Sequence, residues 1–130
     1  MKKVLSLFAL VTVLSVNAQT SKTLNYPFGA AQSFTAATSG TVAVTVNNQM
    51  AIMSAPTLTA AATISVTAGS NLKAGAILLV AVKTTSTEVT TFAGAVVSPT
   101  VAGVAGKTWT QGFIYNGTYF YPMGTKQQVD

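Results

Sequence analysis

Cysteine, histidine and arginine are absent from the 130 residues, and Glu88 and Asp130 are the only acids. Each absence removes a chemistry. Without imidazole or thiol, the chain lacks the two side chains that most readily move protons or attack carbonyls near neutral pH. The usual zinc and copper ligands go with them. Two carboxylates, one of them the last residue, do not make a general acid–base pair or a calcium cage of several side-chain carboxylates. Serine and threonine are plentiful, but a hydroxyl nucleophile needs an activating base. Lys83 and Lys107 do not stand in a Ser-x-x-Lys arrangement; Ser70 and Lys73 do, but without the companion motifs that such nucleophiles use. The composition therefore predicts a protein that is not an enzyme and needs no metal or cofactor. With no disulfide available, the fold rests on packing and on contacts with other copies.

Positive charge is sparse as well. Two of the seven lysines, Lys2 and Lys3, open the chain, and the other five are scattered. No clustered basic patch, phosphate loop or GxGxxG is present, which argues against nucleic acid as a partner. Lys2 and Lys3 precede an uncharged, largely apolar run of thirteen residues, Val4 to Val16, and Val16-Asn17-Ala18 offers small residues for a signal peptidase. The run is shorter than the ~20 residues of a membrane-spanning helix, and no basic stop-transfer cluster follows. Residues 1–18 read as an export signal cleaved before Gln19, with no other membrane segment. The expected location is extracellular or the cell surface, with the periplasm as an alternative. Residues 19–130 then form one β-rich domain of 130 − 18 = 112 residues, with a net charge of 5 − 2 = +3.

What remains is β-forming. From Thr23 to Leu72 there is no charged residue, and threonine, valine, alanine and serine dominate. Such residues suit a pleated, half-buried surface. Uncharged strands of this kind are also prone to edge pairing. Period-two alternation puts Val42, Val44 and Val46 on one face, with a turn at Asn47-Asn48. It likewise puts Leu58, Ala60, Ala62, Ile64 and Val66 inward along a strand from Leu58 to Thr67. Ala76 to Val82 is continuously apolar, as in a strand covered on both faces. Thr84 to Thr87 reads as a turn, and Glu88 to Ala93 as the return strand of a hairpin. Pro56, Pro99 and Pro122 mark loops. No internal repeat stands out, and little or no helix is expected after residue 18.

The sharpest local signal is Asn116-Gly117 between Trp109–Tyr115 and Thr118–Tyr121. A two-residue turn there pairs Tyr115 with Thr118, Ile114 with Tyr119 and Phe113 with Phe120. Trp109, Phe113, Tyr115 and Phe120 then share one face, and Ile114, Tyr119 and Tyr121 the other. One aromatic face packs on the core. The other needs a partner or is itself a binding surface. Trp109, Tyr115, Tyr119 and Tyr121 are the candidate ligand or partner residues. A stacking platform of Trp109, Tyr119 and Tyr121 competes with the simpler reading that these rings build the core. Asn116-Gly117-Thr118 also matches a glycosylation acceptor, although the turn alone accounts for it.

From about Thr57 to Gly124 the order of features resembles small β-structured phage virion proteins of the decoration, head-fibre or tail-tip kind. The residues that carry the likeness are Val101-Ala102-Gly103-Val104-Ala105-Gly106-Lys107-Thr108 and the hairpin Phe113-Ile114-Tyr115-Asn116-Gly117-Thr118-Tyr119-Phe120. The resemblance covers about half the chain, and the leader is not part of it. It implies sandwich or jelly-roll-like units, often trimeric, with no enzymatic role. The expected fold is a single small antiparallel all-β sandwich or jelly-roll-like domain of seven or eight strands. The expected function is a secreted structural or adhesive protein that forms homo-oligomers or docks on cell-surface or virion components. The alternatives are a soluble glycan- or ligand-binding module using the aromatic hairpin, and a phage or prophage-derived virion protein.

Overall fold

The computed structural model describes residues 30–35, 37–54 and 57–129. The expected leader, the Pro56 loop and Asp130 lie outside the described residues. Among the described residues ten strands form: β1 (Gln32–Thr35), β2 (Gly40–Val46), β3 (Met50–Ser54), β4 (Ala62–Ala68), β5 (Ile77–Lys83), β6 (Val89–Gly94), β7 (Val101–Ala102), β8 (Thr108–Tyr115), β9 (Phe120–Pro122) and β10 (Gln127–Val129). They make two sheets. The first has the order β1-β3-β5-β8-β10, with β9 also on β8, and the second runs β2-β4-β6-β7. The expected all-β sandwich is what forms.

Strand direction departs from the antiparallel expectation in the first half. The chain alternates between sheets from β1 to β6, so β1–β3, β3–β5, β2–β4 and β4–β6 are all parallel. Parallel neighbours need a crossover, and here a strand of the opposite sheet provides it. The result is three stacked coils, each with one strand per sheet. From β6 onward the chain doubles back. β7 pairs antiparallel with β6, and β8 pairs antiparallel with β5, β9 and β10. Glu88 to Ala93 is therefore a strand but not the return arm of a hairpin, because β6 crosses to the second sheet. The arch between β2 and β3 has an identifiable brace. The Gln32 amide on β1 donates to the Thr45 carbonyl at 2.9 Å and accepts from the Asn47 N–H at 2.8 Å.

Alternation places the core between the sheets. Val44, Val46, Ile64 and Val66 face Leu78, Val80, Val82, Trp109 and Phe113 from opposite sides, all buried. Phe92 of the second sheet meets two rings of the first edge-on, Trp109 at 6.4 Å and Phe113 at 5.0 Å between centroids. Burying a large apolar side chain stabilises by about 1.5–3 kcal/mol, and edge-to-face ring pairs add about 0.5–1.5 kcal/mol. This aromatic cluster ties the two layers together.

Three local expectations need correction. The strand expected from Leu58 begins at Ala62. Leu58 is buried but forms an isolated bridge to Thr84, and Ala60 is exposed. Thr84, expected in an open turn, is wholly buried, with its hydroxyl donating to the Val104 carbonyl at 2.8 Å. The C-terminal hairpin turns one residue later than Asn-Gly grammar suggests. Asn116 pairs with Tyr119, while its side-chain oxygen accepts from the Thr118 and Tyr119 N–H groups, both at 2.9 Å. Gly117, at φ 108°, takes the first tip position. The register becomes Tyr115 with Phe120, Ile114 with Tyr121 and Phe113 with Pro122. The slip moves each partner by two residues, so every side chain keeps its expected face.

Candidate docking surface

The outward face of the first sheet is built from the residues that alternation leaves over. Cross-strand register aligns Met50, Ile77, Ile114 and Tyr121 in one row over β3, β5, β8 and β9. The next row runs Ser33, Ile52, Leu79 and Gly112. Leu79 is 38% exposed, Ile114 42%, Tyr121 41% and Met123 51%. Gly112 leaves a dent in this surface. A Cβ there would lie 3.5 Å from Leu79 Cδ2 and 3.7 Å from the Met123 side chain. A shallow cleft of about 340 Å³ opens at the same place, between Ile52, Leu79, Ala81, Thr110 and Gly112. The surface is thus a contiguous apolar band with a hollow in it.

The structure divides the four residues singled out from the sequence. Trp109 is 2% exposed and packs on Phe92, and its indole N–H has no hydrogen-bond partner. Tyr115 is also buried. It lies 4.9 Å from Phe120, and its hydroxyl donates to the Gly117 carbonyl at 2.9 Å. Tyr119 and Tyr121 are exposed. Trp109 therefore stands apart from the two outer tyrosines, on the inward face of β8. Missed from the sequence were Met50, Ile52, Ile77, Leu79 and Met123. The signal was present in Ala76 to Val82, whose apolar residues occupy both faces. The expectation that the run is covered on both sides is overturned, because β5 buries one side only.

A second hollow of about 330 Å³ lies between the Ser98–Ala102 segment and the Pro122–Lys126 segment. Gln111 reaches both hollows. Its side-chain amide donates to the Gly112 carbonyl at 2.9 Å and to the Gly124 carbonyl at 3.2 Å. Lys126 donates to the Ala102 carbonyl across the second hollow. Glu88 lies at neither hollow. Its carboxylate accepts from the Thr85 hydroxyl and from the Ser86 N–H at 2.8 Å, closing its own turn. The Thr85 hydrogen bond foremost holds its pKa below the ordinary 4.5. Among the described residues, no three of His, Cys, Asp or Glu come together.

No protein-family model, curated protein or solved structure matches the chain.

Proposed function

We propose that the chain is a secreted, non-enzymatic structural or adhesive subunit that works by docking the outer face of its first sheet on another copy or on a surface. The apolar band through Met50, Ile77, Leu79, Ile114 and Tyr121 carries this reading. Single exposed apolar residues are ordinary, whereas a contiguous apolar face marks an interaction site. The leader-like residues 1–18 support export, and the lack of proton-moving side chains supports a passive role. A cell-surface adhesin and a virion component of the kind the resemblance implies both need such a face. They differ in what it meets.

The test uses the mature chain and a Leu79→Lys/Ile114→Lys variant, compared by light scattering and by sedimentation with cell envelopes. The wild type is expected to self-associate or sediment, and the variant to stay monomeric and soluble with an unchanged β spectrum. A wild type that stays monomeric and unbound, or a variant that behaves like it, sinks the reading.

A soluble ligand-binding module is the second reading. It is supported by the two exposed rings, Tyr119 and Tyr121, on the C-terminal hairpin, whose Pro122 lines the second hollow. Calorimetric titration with polysaccharides, comparing the wild type with Tyr119→Ala/Tyr121→Ala, separates it from the first.

A further inference from the structure

We propose that two copies of this chain join end to end through the edges of β1 and β2, extending both sheets across a two-fold axis. Among the described residues, each of these strands has a strand partner on one side only, β3 for β1 and β4 for β2. They are consecutive strands of one coil. Their outer edges therefore lie at the same end of the sandwich, and together they form a rim.

Three observations favour a second copy there. Among the described residues the rim lacks the charges and prolines that usually guard a sheet edge, although β1 is four residues long and the Gln32 side chain takes up the Thr45 carbonyl and the Asn47 N–H. Between residues 30 and 54 there is no charged residue and no proline, and β2 is seven residues long. The opposite end has several guards. β7 is two residues long and β10 three, β9 ends on Pro122, and Lys126 follows. Short edges, proline and lysine are the devices that keep sheet edges from pairing. The core is also unfinished at the rim. Phe34 and Val42 face inward but stay half-buried, whereas Met53 and Ile64, their partners one coil further in, are buried. The third observation is charge. Among the described residues the lysines are Lys73, Lys83, Lys107 and Lys126, and all four lie beyond the first two coils. As far as the described residues go, copies that repel elsewhere meet least repulsion at this end, and a charged partner finds no counter-charge on it.

The geometry suits self-pairing. A two-fold axis perpendicular to the sheets sets β2 antiparallel to its own copy and β1 antiparallel to its own copy. The patch is then self-complementary, as a closed dimer requires, and main-chain hydrogen bonds supply the contact as in strand addition. This surface is distinct from the apolar outer face, so either can fail alone.

The experiment is amide hydrogen exchange and light scattering on the mature chain over a range of concentrations. Thr41→Lys/Ala43→Lys serves as the rim variant and Leu79→Lys/Ile114→Lys as the face variant. Thr41 and Ala43 are exposed on β2, away from the first sheet, so the rim variant keeps its fold and leaves the apolar face untouched. The expected results are a dimer, β1 and β2 amides whose protection rises with concentration, and dimerisation weakened about tenfold or more by lysines at the pairing edge. The proposal is overturned by a monomer at every concentration. It is also overturned by a dimer that the face variant abolishes and the rim variant leaves intact. Rim amides protected to the same degree at all concentrations overturn it too, and assign the rim's cover to the chain itself.

Discussion

The two outer faces of this sandwich are made from the same kind of strand and carry opposite chemistry. On the second sheet, register aligns Thr41, Thr63 and Thr91 in one row, Ala43, Ser65 and Ala93 in the next, and Thr45 with Thr67 in a third. On the first sheet, one row holds Met50, Ile77, Ile114 and Tyr121 and the next Ile52 and Leu79 between Ser33 and Gly112, whereas a third, Thr35, Ser54, Ala81 and Thr110, resembles the second sheet. Threonine suits a pleated surface and still offers water a hydroxyl, so the second sheet is wetted without charge. The first sheet offers water little beyond the Tyr121 hydroxyl along that band. Because the inner faces are alike in being apolar, the fold alone does not demand this difference. That difference is what the proposed docking of the first sheet rests on.

The largest effect separates the inside of the first sheet from its outside on neighbouring residues. Phe113 is wholly buried and Ile114 is 42% exposed. Phe113→Ala is expected to cost about 3–5 kcal/mol in chemical denaturation at low protein concentration, the range for truncating a buried aromatic. Ile114→Ala should stay within about 0.5 kcal/mol under the same conditions, as surface substitutions do. If Ile114→Ala costs as much as a core change in the monomer, the apolar face is covered by the chain's own residues, and the contrast between the faces fails.

Thr90 sharpens the comparison from the second sheet. The outward threonines of that sheet are solvated, but Thr90 points inward, is wholly buried, and its hydroxyl has no hydrogen-bond partner. An unsatisfied buried hydroxyl costs about 1–3 kcal/mol. Thr90→Val keeps the shape and removes the orphan. A gain of about 1 kcal/mol is expected, seen as a rise of several degrees in the thermal midpoint. Thr63→Val, on the wetted side of β4, should change little. Destabilisation by Thr90→Val would mean that a buried water serves the hydroxyl.

Alternation was the legible part of this chain. It put Val42, Val44 and Val46 on one face, and it put Phe113 and Tyr115 on the opposite side from Ile114. Both assignments match the structure because a two-residue period is a local property of the backbone. Which strand lies beside which is not local. Nothing in Leu78 or Thr90 says that β6 leaves β5 and joins β4, so the parallel coils stayed hidden behind an antiparallel expectation. The hairpin tip moved because the Asn116 side chain captured two N–H groups, a competition that turn grammar does not count. The run from Ala76 to Val82 shows a deeper limit. Apolar residues on both faces of a strand suit cover on both sides, but a sequence does not say which side the chain itself covers.

Acidification gives the smallest and most selective test. Glu88 precedes β6, the third strand of the second sheet, and is the only carboxylate side chain among the described residues. Its pKa lies below the ordinary 4.5, chiefly through the Thr85 hydroxyl and also through the Ser86 N–H. A lowered folded-state pKa means the ionised form is favoured by folding. Its stabilising contribution is fully present above the unfolded value of 4.5 and is lost as pH falls through the folded value. The carboxylate sits in a surface turn, so the effect is small. Between about pH 5 and about pH 3, the thermal midpoint of the wild type should fall slightly more than that of Glu88→Gln. The apolar face of the first sheet holds no carboxylate among the described residues, so association through it should not change over that interval. Association that dissolves in acid in the wild type but survives in Glu88→Gln would place the contact on the turn beside the second sheet, and would reverse the roles assigned to the two faces.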